Sequence, residues 1–300
     1  MNYCIGLDIG GTKIKGLIVD SFGQIWKELT LPTHAQLGKD HVLSVCYDII
    51  DSLLQASYPI IGIGIATGGR VDVQTGQIVY ATDNLPGWIG LQLKQIIESK
   101  YKLPTFVDND ANLALLGEMW VGAAKEYSHI VMLTLGTGVG GANAFFGRIY
   151  QGKQFDGGEY GHVILHPNGV LCNCGKRGCT EQYISGNALK RDAERALKVS
   201  LTSGRELFDH YGVEHPLVKP VMDEFINNLF LTIQNIHNAI NPEIILLGGG
   251  LIDSKEHWFD ALTTRFLHTY EQPLIVPAIL GNQAGAVGAA KFVFNQINKD

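Results

Sequence analysis

Residues 159–181 read EYGHVILHPNGVLCNCGKRGCTE and contain three of the chain's five cysteines. Cys172, Cys174 and Cys179 lie within eight positions, and His162 precedes the first of them by ten residues. Three cysteines cannot pair off internally, and three thiolates with one imidazole are a ligand set of structural Zn²⁺. The pattern therefore predicts a zinc loop pinned to a neighbouring element by His162, with buried or disulfide-bonded cysteines as the alternative.

The composition indicates a globular protein. The chain has 300 residues, 46% of them hydrophobic and 17% charged, with a net charge of −6. It carries no basic run, so we expect no nucleic-acid partner. No apolar run approaches the roughly 18 residues of a membrane span, and no signal peptide precedes the first strand-like stretch. Clustered cysteines in such a chain favour a reducing compartment, and we expect a cytoplasmic protein without membrane contact.

Hydrophobic patterning predicts a mixed α/β protein in which a strand–turn–strand motif of the first half recurs in the second half. Residues 3–7 and 14–20 look like strands joined by a glycine turn, and strands and helices then alternate. Strand-like residues 130–135 enter a second glycine turn at 136–141, which strand-like sequence again follows. The same motif thus occurs twice, which indicates a weak internal duplication.

The same pattern predicts where the domains divide. Length alone allows one or two domains of roughly 100–200 residues each. We expect an N-terminal α/β domain over residues 1–120 and a C-terminal α/β domain over 121–284. The small-residue-rich helix at about 285–300 suits close packing, and we expect it to pack back on the first domain.

The first glycine turn is a candidate phosphate site. Asp8 ends a strand just before Gly10, Gly11 and Thr12. Open amides and a hydroxyl can hold a phosphate, and the Asp8 carboxylate can face its Mg²⁺. Lys13 directly follows this turn and is a further candidate to bind the phosphate of ATP. The alternative for Lys13 is a solvated strand residue. For the turn as a whole, the alternative is an ordinary hairpin with glycine at positive φ.

Two further glycine turns can complete a nucleotide site. Gly136, Thr137 and Gly138 open a formal G-x-G-x-x-G match. A dinucleotide-binding fingerprint requires a helix after the motif, whereas strand-like sequence follows here. We therefore favour a second phosphate turn over a nicotinamide site. Gly248 and Gly249 end a later strand and would let adenosine lie against the backbone, with a tight strand–helix turn as the alternative.

Asp108, Asn109 and Asp110 end another predicted strand. Phosphoryl transfer to an alcohol needs a carboxylate that accepts the hydroxyl proton, and a nearby helix N-terminus would hold that carboxylate ionised. Asn109 and Asp110 also have the chemistry to hydrogen-bond a polyol. The alternative is a helix N-cap followed by a turn.

Glu159 and Glu181 flank the predicted zinc loop. If Zn²⁺ takes one nitrogen of His162, the other nitrogen can donate to a substrate hydroxyl. The loop would then be structural and would aim His162 and Glu181 at a sugar. We expect His166, in the same segment, to be a solvated loop residue, and Trp88 to belong to the core or a packed loop.

Together these motifs resemble the ROK family (repressors, open reading frames, kinases) of the actin-like ATPase superfamily. The matching stretches are DIGGTK at 8–13, LGTGVGG at 135–141, EYGH at 159–162 and CNCGKRGCTE at 172–181. The resemblance implies two ribonuclease-H-like α/β domains with ATP and sugar in an interdomain cleft, and commonly a homodimer. It implies zinc at His162, Cys172, Cys174 and Cys179. It also implies Asp110 as the general base, and sugar hydroxyls bound by Asn109, Glu159, His162 and Glu181.

The resemblance implies ATP- and Mg²⁺-dependent phosphorylation of the 6-hydroxyl of a hexose or N-acetylhexosamine. Gly68, Arg70 and Thr82 look like the loop of N-acetylmannosamine kinases that approaches the sugar's 2-substituent, which favours that sugar over glucose. Kinases of N-acetylglucosamine or β-glucosides are alternatives, as is a sugar-sensing protein without catalysis. Repressor members carry a helix-turn-helix ahead of the first glycine turn; because Asp8 is only seven residues from the start of the sequence, we expect a kinase rather than a repressor.

Overall fold

The computed structural model describes residues 1–82, 84–267 and 274–297. Its strands are β1 (Tyr3–Ile9), β2 (Lys13–Asp20), β3 (Ile25–Pro32), β4 (Ile60–Thr67), β5 (Arg70–Asp72), β6 (Gln77–Tyr80), β7 (Thr105–Asn109), β8 (Ile130–Leu135), β9 (Val139–Phe145), β10 (Arg148–Ile149), β11 (Ile244–Gly248) and β12 (Leu274–Pro277). Its α-helices are α1 (Lys39–Leu54), α2 (Leu93–Tyr101), α3 (Asp110–Val121), α4 (Glu181–Ile184), α5 (Gly186–Leu197), α6 (Arg205–His210), α7 (Lys219–Ile240), α8 (Phe259–Phe266) and α9 (Ala284–Ile297). None of the helices in the described ranges has both the length and the apolar character that crossing a bilayer requires.

Two compact units divide the chain. Unit 1 comprises the described residues of Met1–Glu126, Ile149–Gly157 and Asn282–Asp300, and unit 2 comprises those of Tyr127–Arg148 and Gly158–Gly281. The first division follows Glu126, a few residues beyond the predicted end of the first domain at residue 120, whereas residues 149–157 lie with unit 1 rather than with the C-terminal domain. Side chains of that segment explain the difference, because Gln151 donates to Asp108 at 2.9 Å and Asp156 lies 3.6 Å from Arg70.

Unit 1 is built on a five-stranded sheet in the order β3-β2-β1-β4-β7. Strands β1, β2 and β3 pair antiparallel, whereas β4 pairs parallel with β1 and β7 pairs parallel with β4. Helix α1 packs on this sheet through an apolar face on which Val42, Ile49 and Leu53 are fully buried. The mixed α/β pattern predicted for this half is confirmed.

Helix α9 returns to unit 1 and packs against the sheet of that unit and α3. The approach is close because glycines face it. A Cβ added at Gly6 or Gly64 would overlap the backbone of α9, and one at Gly288 would overlap the backbone of α3. Contacts this short tolerate no side chain. Residues 298–300, the end of the predicted helix, lie outside the described residues.

Unit 2 repeats the strand order of unit 1. Its sheet runs β10-β9-β8-β11-β12, with β8 and β9 antiparallel and β11 and β12 parallel to β8. The long helix α7 buries residues that include Met222, Phe225, Leu229 and Ile233 in the core of this unit. The duplication predicted from the two glycine turns is confirmed, because β1–β2 and β8–β9 occupy equivalent positions.

Candidate functional site

Three carboxylates meet at one edge of the unit 1 sheet. Asp8 in β1 lies opposite Ala66 in β4, which lies opposite Asp108 in β7. These strands are parallel, so their carboxyl ends converge at the edge where open α/β sheets bind ligands. Helix α3 begins directly after β7 and places Asp110 in its first turn.

The first glycine turn joins β1 to β2 at the same edge. The amide of Gly10 donates to the Lys13 carbonyl at 3.1 Å, and the buried Thr33 hydroxyl donates to the Gly10 carbonyl at 2.6 Å. Gly11, Thr12 and Lys13 are exposed. Neither glycine of the turn has positive φ, so the alternative of a hairpin with glycine in the left-handed region is wrong. Lys13 is the solvated first residue of β2.

Asn109 caps α3. Its side-chain oxygen accepts the amides of Ala111 at 2.9 Å and Asn112 at 3.2 Å, and its amide nitrogen donates to the Gly69 carbonyl at 2.8 Å. The N-cap alternative for this residue is therefore confirmed. The cap also ties the loop that contains Gly68 and Gly69 to the start of α3.

Asp110 carries the exposed carboxylate of this edge. Its Oδ1 accepts the Ala111 amide at 2.9 Å. A Cβ added at Gly68 would have Asp110 Oδ2 and a Leu85 methyl as its nearest atoms, both at 4.0 Å. Glycine at position 68 therefore leaves room beside the carboxylate that a polyol hydroxyl could occupy.

Burial, with the charge of Asp110 added, disfavours the ionised forms of Asp8 and Asp108. Burial and the charge of Asp110 raise the pKa of Asp8 to about 7, against the opposing effect of Lys15 and Lys13. Burial raises the pKa of Asp108 to about 6, although Gln151 and Asn112 donate hydrogen bonds to it. Crowding by protein atoms raises the pKa of Asp110 even though its side chain is exposed, while the Ala111 amide acts to lower it. Such an edge favours a bound cation.

Sequence reasoning missed the partners of Asp108. This side chain is only 2% exposed, and it accepts hydrogen bonds from Gln151 at 2.9 Å and Asn112 at 3.0 Å. Asn112 lies four residues further along the chain, in the first turn of α3, and could have been found from its spacing. Gln151 is 43 residues away and stands in no motif, so no local signal points to it.

Gly68, Arg70 and Thr82, which we expect near the 2-substituent of a sugar, have different surroundings. Gly68 lies beside Asp110, whereas the Arg70 guanidinium lies 3.6 Å from Asp156 and 5.1 Å over the Tyr80 ring. Thr82 is exposed, and its carbonyl accepts the Leu85 amide at 3.1 Å.

Trp88 belongs to the core of unit 1, as expected. It is fully buried and donates to the Thr67 hydroxyl at 3.0 Å. The side chain therefore packs behind the loop that follows β4 and is not a platform for a ligand.

The second glycine turn joins β8 to β9 in unit 2. The Gly136 amide donates to the Gly138 carbonyl at 3.0 Å, and Thr137 is exposed. A strand follows the turn, so it lacks the helix that a dinucleotide fingerprint needs. Glu181 Oε2 accepts the Val139 amide at 3.0 Å, a contact that sequence reasoning did not predict.

Gly248 and Gly249 lie next to this second turn, because β11 neighbours β8 and Gly248 pairs with Thr134. Gly249 has φ of 83°, and a Cβ added there would lie 2.5 Å from the Leu135 carbonyl oxygen. The tight turn after β11 is therefore present, with a 3₁₀-helix following it.

The predicted zinc ligands come together in unit 2. One ligand atom each from His162, Cys172, Cys174 and Cys179 lies within 4.8 Å of the others. The Cys174 and Cys179 sulfurs are 3.5 Å apart, and Cys172 Sγ lies 3.8 Å from His162 Nδ1. A tetrahedron with metal–sulfur bonds of about 2.3 Å has edges of about 3.8 Å, so the donor set fits Zn²⁺. All five cysteines are free thiols, so the disulfide alternative is wrong.

Local turns explain why the thiols converge. The Cys172 amide donates to the Lys176 carbonyl at 2.8 Å, and the Gly175 amide donates to the Cys172 carbonyl at 2.9 Å. Gly175 and Gly178 both have positive φ, at 86° and 83°. The pKa of Cys174 is lowered: burial opposes this, but hydrogen bonds from the Lys176 amide and the neighbouring thiols outweigh it. Burial and the neighbouring thiols Cys174 and Cys172 raise the pKa of Cys179, so the thiols of this cluster do not all ionise together without a cation.

His162 presents its two nitrogens to different partners. Nδ1 faces Cys172, whereas Nε2 lies 4.0 Å from Glu159 Oε2. A metal on Nδ1 would leave Nε2 carrying a proton beside Glu159.

The expectation for His166 is wrong. Its Nε2 lies 2.6 Å from Asn228 Oδ1, and its ring packs edge-on against Tyr183 at 4.5 Å. Asn228 belongs to the long helix α7. His166 therefore joins the segment from His162 to Cys179, which carries the predicted zinc ligands and is called the metal loop below, to the core of unit 2.

A family model described as the ROK family matches residues 4–296. The chain belongs to the ROK family. A ROK relative, the glucokinase of Halalkalibacterium halodurans, is 33% identical over 99% of this chain and 96% of the relative. Xylose repressors also occur among the relatives.

Solved ROK structures share the fold. The ROK hexokinase of Thermus thermophilus is 31% identical and superimposes with a TM-score of 0.87, covering 99% of this chain and 100% of that one. The ROK glucokinase of Streptomyces griseus, solved with glucose and AMPPNP, is 27% identical with a TM-score of 0.84, covering 97% and 98%. These likenesses confirm the actin-like ATPase fold class predicted from the motifs.

Proposed function

We propose that this ROK protein is a kinase that transfers the γ-phosphoryl group of ATP to the 6-hydroxyl of a hexose or N-acetylhexosamine. The observation that carries the proposal is the position of Asp110. Its exposed carboxylate stands at the start of α3, next to Gly68 and on the sheet edge that also holds Asp8 and the first glycine turn. The relatives that are glucokinases support the same reaction.

In unit 1, Asp110 is the proposed general base. The sugar O6 forms a bond to the γ-phosphorus, the bond from that phosphorus to the bridging oxygen of ADP breaks, and the O6 proton passes to Asp110. The Ala111 amide holds this carboxylate in place, and Asn109 would bind a sugar hydroxyl beside it. Gly10, Gly11, Thr12 and Lys13 would contact phosphate oxygens. Mg²⁺, facing Asp8, would neutralise charge on those oxygens.

In unit 2, Glu159, His162 and Glu181 are the proposed partners of sugar hydroxyls. Gly136, Thr137 and Gly138 would hold phosphate, and Gly248 and Gly249 would lie against the adenosine. His162, Cys172, Cys174 and Cys179 would hold Zn²⁺ with all four positions filled by protein, so this ion would be structural. The two units would act as the two domains of the kinase.

The preferred sugar is proposed to be N-acetylmannosamine, with glucose next. The open space at Gly68 supports a bulky 2-substituent, because the nearest atoms to a Cβ there are 4.0 Å away. Arg70 and Thr82 are proposed to complete this side of the pocket. One loop can change which sugar is bound while the reaction stays the same. N-acetylglucosamine and β-glucosides are therefore alternative substrates.

A coupled assay of ADP release with a sugar panel tests the proposal. The panel contains N-acetylmannosamine, glucose, N-acetylglucosamine and a β-glucoside, ranked by kcat/KM. We expect sugar-dependent ADP release that is highest for N-acetylmannosamine. A higher rank for glucose would overturn the sugar preference alone. ADP release that no sugar stimulates would overturn the kinase proposal.

A sugar-sensing protein without catalysis is the second candidate, because repressors are among the relatives. Calorimetric sugar binding without ADP release in the same panel would favour it.

A further inference from the structure

The Glu181 carboxylate lies against the second glycine turn. Its Oε2 accepts the Val139 amide at 3.0 Å. A Cβ added at Gly138 would overlap this carboxylate, and the three atoms nearest to that Cβ all belong to Glu181. The residue that the family resemblance assigns to the sugar therefore also holds the turn assigned to phosphate.

The metal loop determines where Glu181 stands. Cys179, a predicted metal ligand, is fully buried two residues before it. Between them, Thr180 is 1% exposed and donates both its amide, at 2.9 Å, and its hydroxyl, at 3.0 Å, to the Val163 carbonyl. Val163 directly follows the ligand His162. The residues that flank two metal ligands are thus hydrogen-bonded to each other, immediately before Glu181.

A second contact joins this segment to the same turn. The Gly186 amide donates to the Gly136 carbonyl at 2.7 Å. Helix α4 begins at Glu181 and ends two residues before Gly186, the first residue of α5, so contacts on both sides of this short helix reach the β8–β9 turn. Hydrogen bonds at both ends limit how far the turn can move while the helix stays in place.

We infer that Glu181 is a positioning residue through which the metal loop holds the phosphate turn, so that the metal loop controls nucleotide affinity as well as the sugar site. The inference rests on the proposed function, which makes this turn a phosphate site. A bound phosphate repels this carboxylate, and the hydrogen bond from the Val139 amide keeps the carboxylate in place against that repulsion. A sugar hydroxyl that donates a hydrogen bond to the same carboxylate would couple the binding of sugar to the binding of nucleotide.

Gly138 offers a specific test because it does not need glycine for its backbone. Its φ is outside the left-handed region, so alanine is tolerated there except for the overlap with Glu181. Gly138→Ala should displace the carboxylate and weaken nucleotide binding. Once Glu181 is truncated, the same methyl group has nothing to displace.

The experiment measures the Kd of trinitrophenyl-ATP for the zinc-loaded full chain without sugar. We expect Glu181→Ala and Gly138→Ala each to weaken binding by about 5- to 10-fold, the effect of one lost hydrogen bond. The double variant should match Glu181→Ala alone. Glu181→Gln keeps an acceptor oxygen and should stay within about threefold of the parent. Glu214→Ala, an exposed site in the same unit, should leave Kd unchanged.

Chelation gives the second measurement. Removing the metal from the parent should weaken analogue binding about fivefold, whereas removal from Glu181→Ala should change Kd by less than about twofold. Glu181→Ser repeats the truncation in case the alanine variant folds poorly. Additive effects of Gly138→Ala and Glu181→Ala, or equal chelation effects in parent and variant, would overturn the inference. A parent that does not bind the analogue at all would instead overturn the proposed function.

Discussion

The β1–β2 turn of unit 1 and the β8–β9 turn of unit 2 occupy equivalent places in sheets of the same strand order. Asp8 in unit 1 corresponds to Thr134 in unit 2, since they pair with Ala66 and Gly248 in the neighbouring parallel strands. Unit 1 thus has a carboxylate at a strand position where unit 2 has a hydroxyl. The duplicated topology carries different chemistry in its two copies.

The two turns are also held differently. In unit 1 the hydroxyl of the buried Thr33 donates to the Gly10 carbonyl. In unit 2 the Glu181 carboxylate accepts the Val139 amide and stands beside the metal loop. The unit 1 turn is therefore held by a hydroxyl that follows β3, whereas the unit 2 turn is held by a carboxylate two residues after the predicted metal ligand Cys179.

Asp110→Asn should cause the largest loss of activity, because it removes the proposed base in unit 1. An amide cannot accept the O6 proton, so kcat should fall by about 10²- to 10⁴-fold while the sugar Kd stays similar. Steady-state kinetics and calorimetry measure the two quantities. Asp48→Asn, on the exposed surface of α1, is the matched control and should keep full activity. Near-full turnover in Asp110→Asn would remove Asp110 from the role of base.

Loss of the metal should affect unit 2. A ligand present at 100 times its Kd contributes about 2.7 kcal/mol, which corresponds to a Tm lower by about 5–10 °C after its removal. Chelation, or Cys174→Ala, should therefore lower Tm and raise the sugar KM together. Thermal unfolding, kinetics and metal content measure this.

Cys4→Ala, at a fully buried thiol in β1 of unit 1, is the control and should retain its metal. An unchanged sugar KM after complete metal loss would contradict the role of the loop in presenting His162 and Glu181.

The pH dependence of stability should reveal the unit 1 carboxylates. Burial and the charge of Asp110 raise the pKa of Asp8 to about 7, against about 3.9 in an unfolded chain. Between these values the unfolded state releases a proton that the folded state keeps, so the free energy of unfolding falls as pH rises from about 4 to about 7.

Asp8→Asn should remove the part of this slope that Asp8 contributes, on the order of 2 kcal/mol between pH 5 and pH 8, and leave the smaller part that the raised pKa of Asp108 contributes. Denaturant titrations without nucleotide or Mg²⁺ measure it. Asp48→Asn should retain the slope of the parent. Parallel curves for the parent and Asp8→Asn would show that Asp8 is ionised throughout this range.

The smallest effect concerns Thr33. Thr33→Val removes the hydroxyl that donates to Gly10, which should cost about 1 kcal/mol of stability and weaken nucleotide binding about 2- to 5-fold. Thr105→Val is matched, since Thr105 is equally buried in unit 1 and donates to the Leu103 carbonyl at 3.1 Å. It should cost similar stability and leave nucleotide affinity unchanged. Equal nucleotide affinities in the two variants would show that Thr33 does not support the turn.

Much of the site could be predicted because its motifs are local. The three cysteines and His162 lie within 18 positions, and each glycine turn directly follows a strand. Short-range patterns of this kind specify residue types and spacing, which is the information that metal ligation and tight turns require. The roles assigned to Glu159 and Asn109 toward a sugar, and the homodimer, stay predictions.

Other features could not be predicted because they join residues that are distant in the chain. Gln151 bonds Asp108 from 43 positions away and holds residues 149–157 with unit 1. His166 reaches Asn228 across 62 positions and is packed rather than solvated. Such contacts leave no periodic signal in a single sequence.

The sequence by itself determined the α/β class, the repeated strand–turn–strand motif and the residues able to bind a metal or accept a proton, because these depend on neighbouring residues. Only the tertiary structure decided that Asp8, Asp108 and Asp110 share one sheet edge and that Glu181 holds the second turn. Those placements depend on strand order and on packing between distant segments. Burial then raises the carboxylate pKa values, since it removes the water that would stabilise their charge.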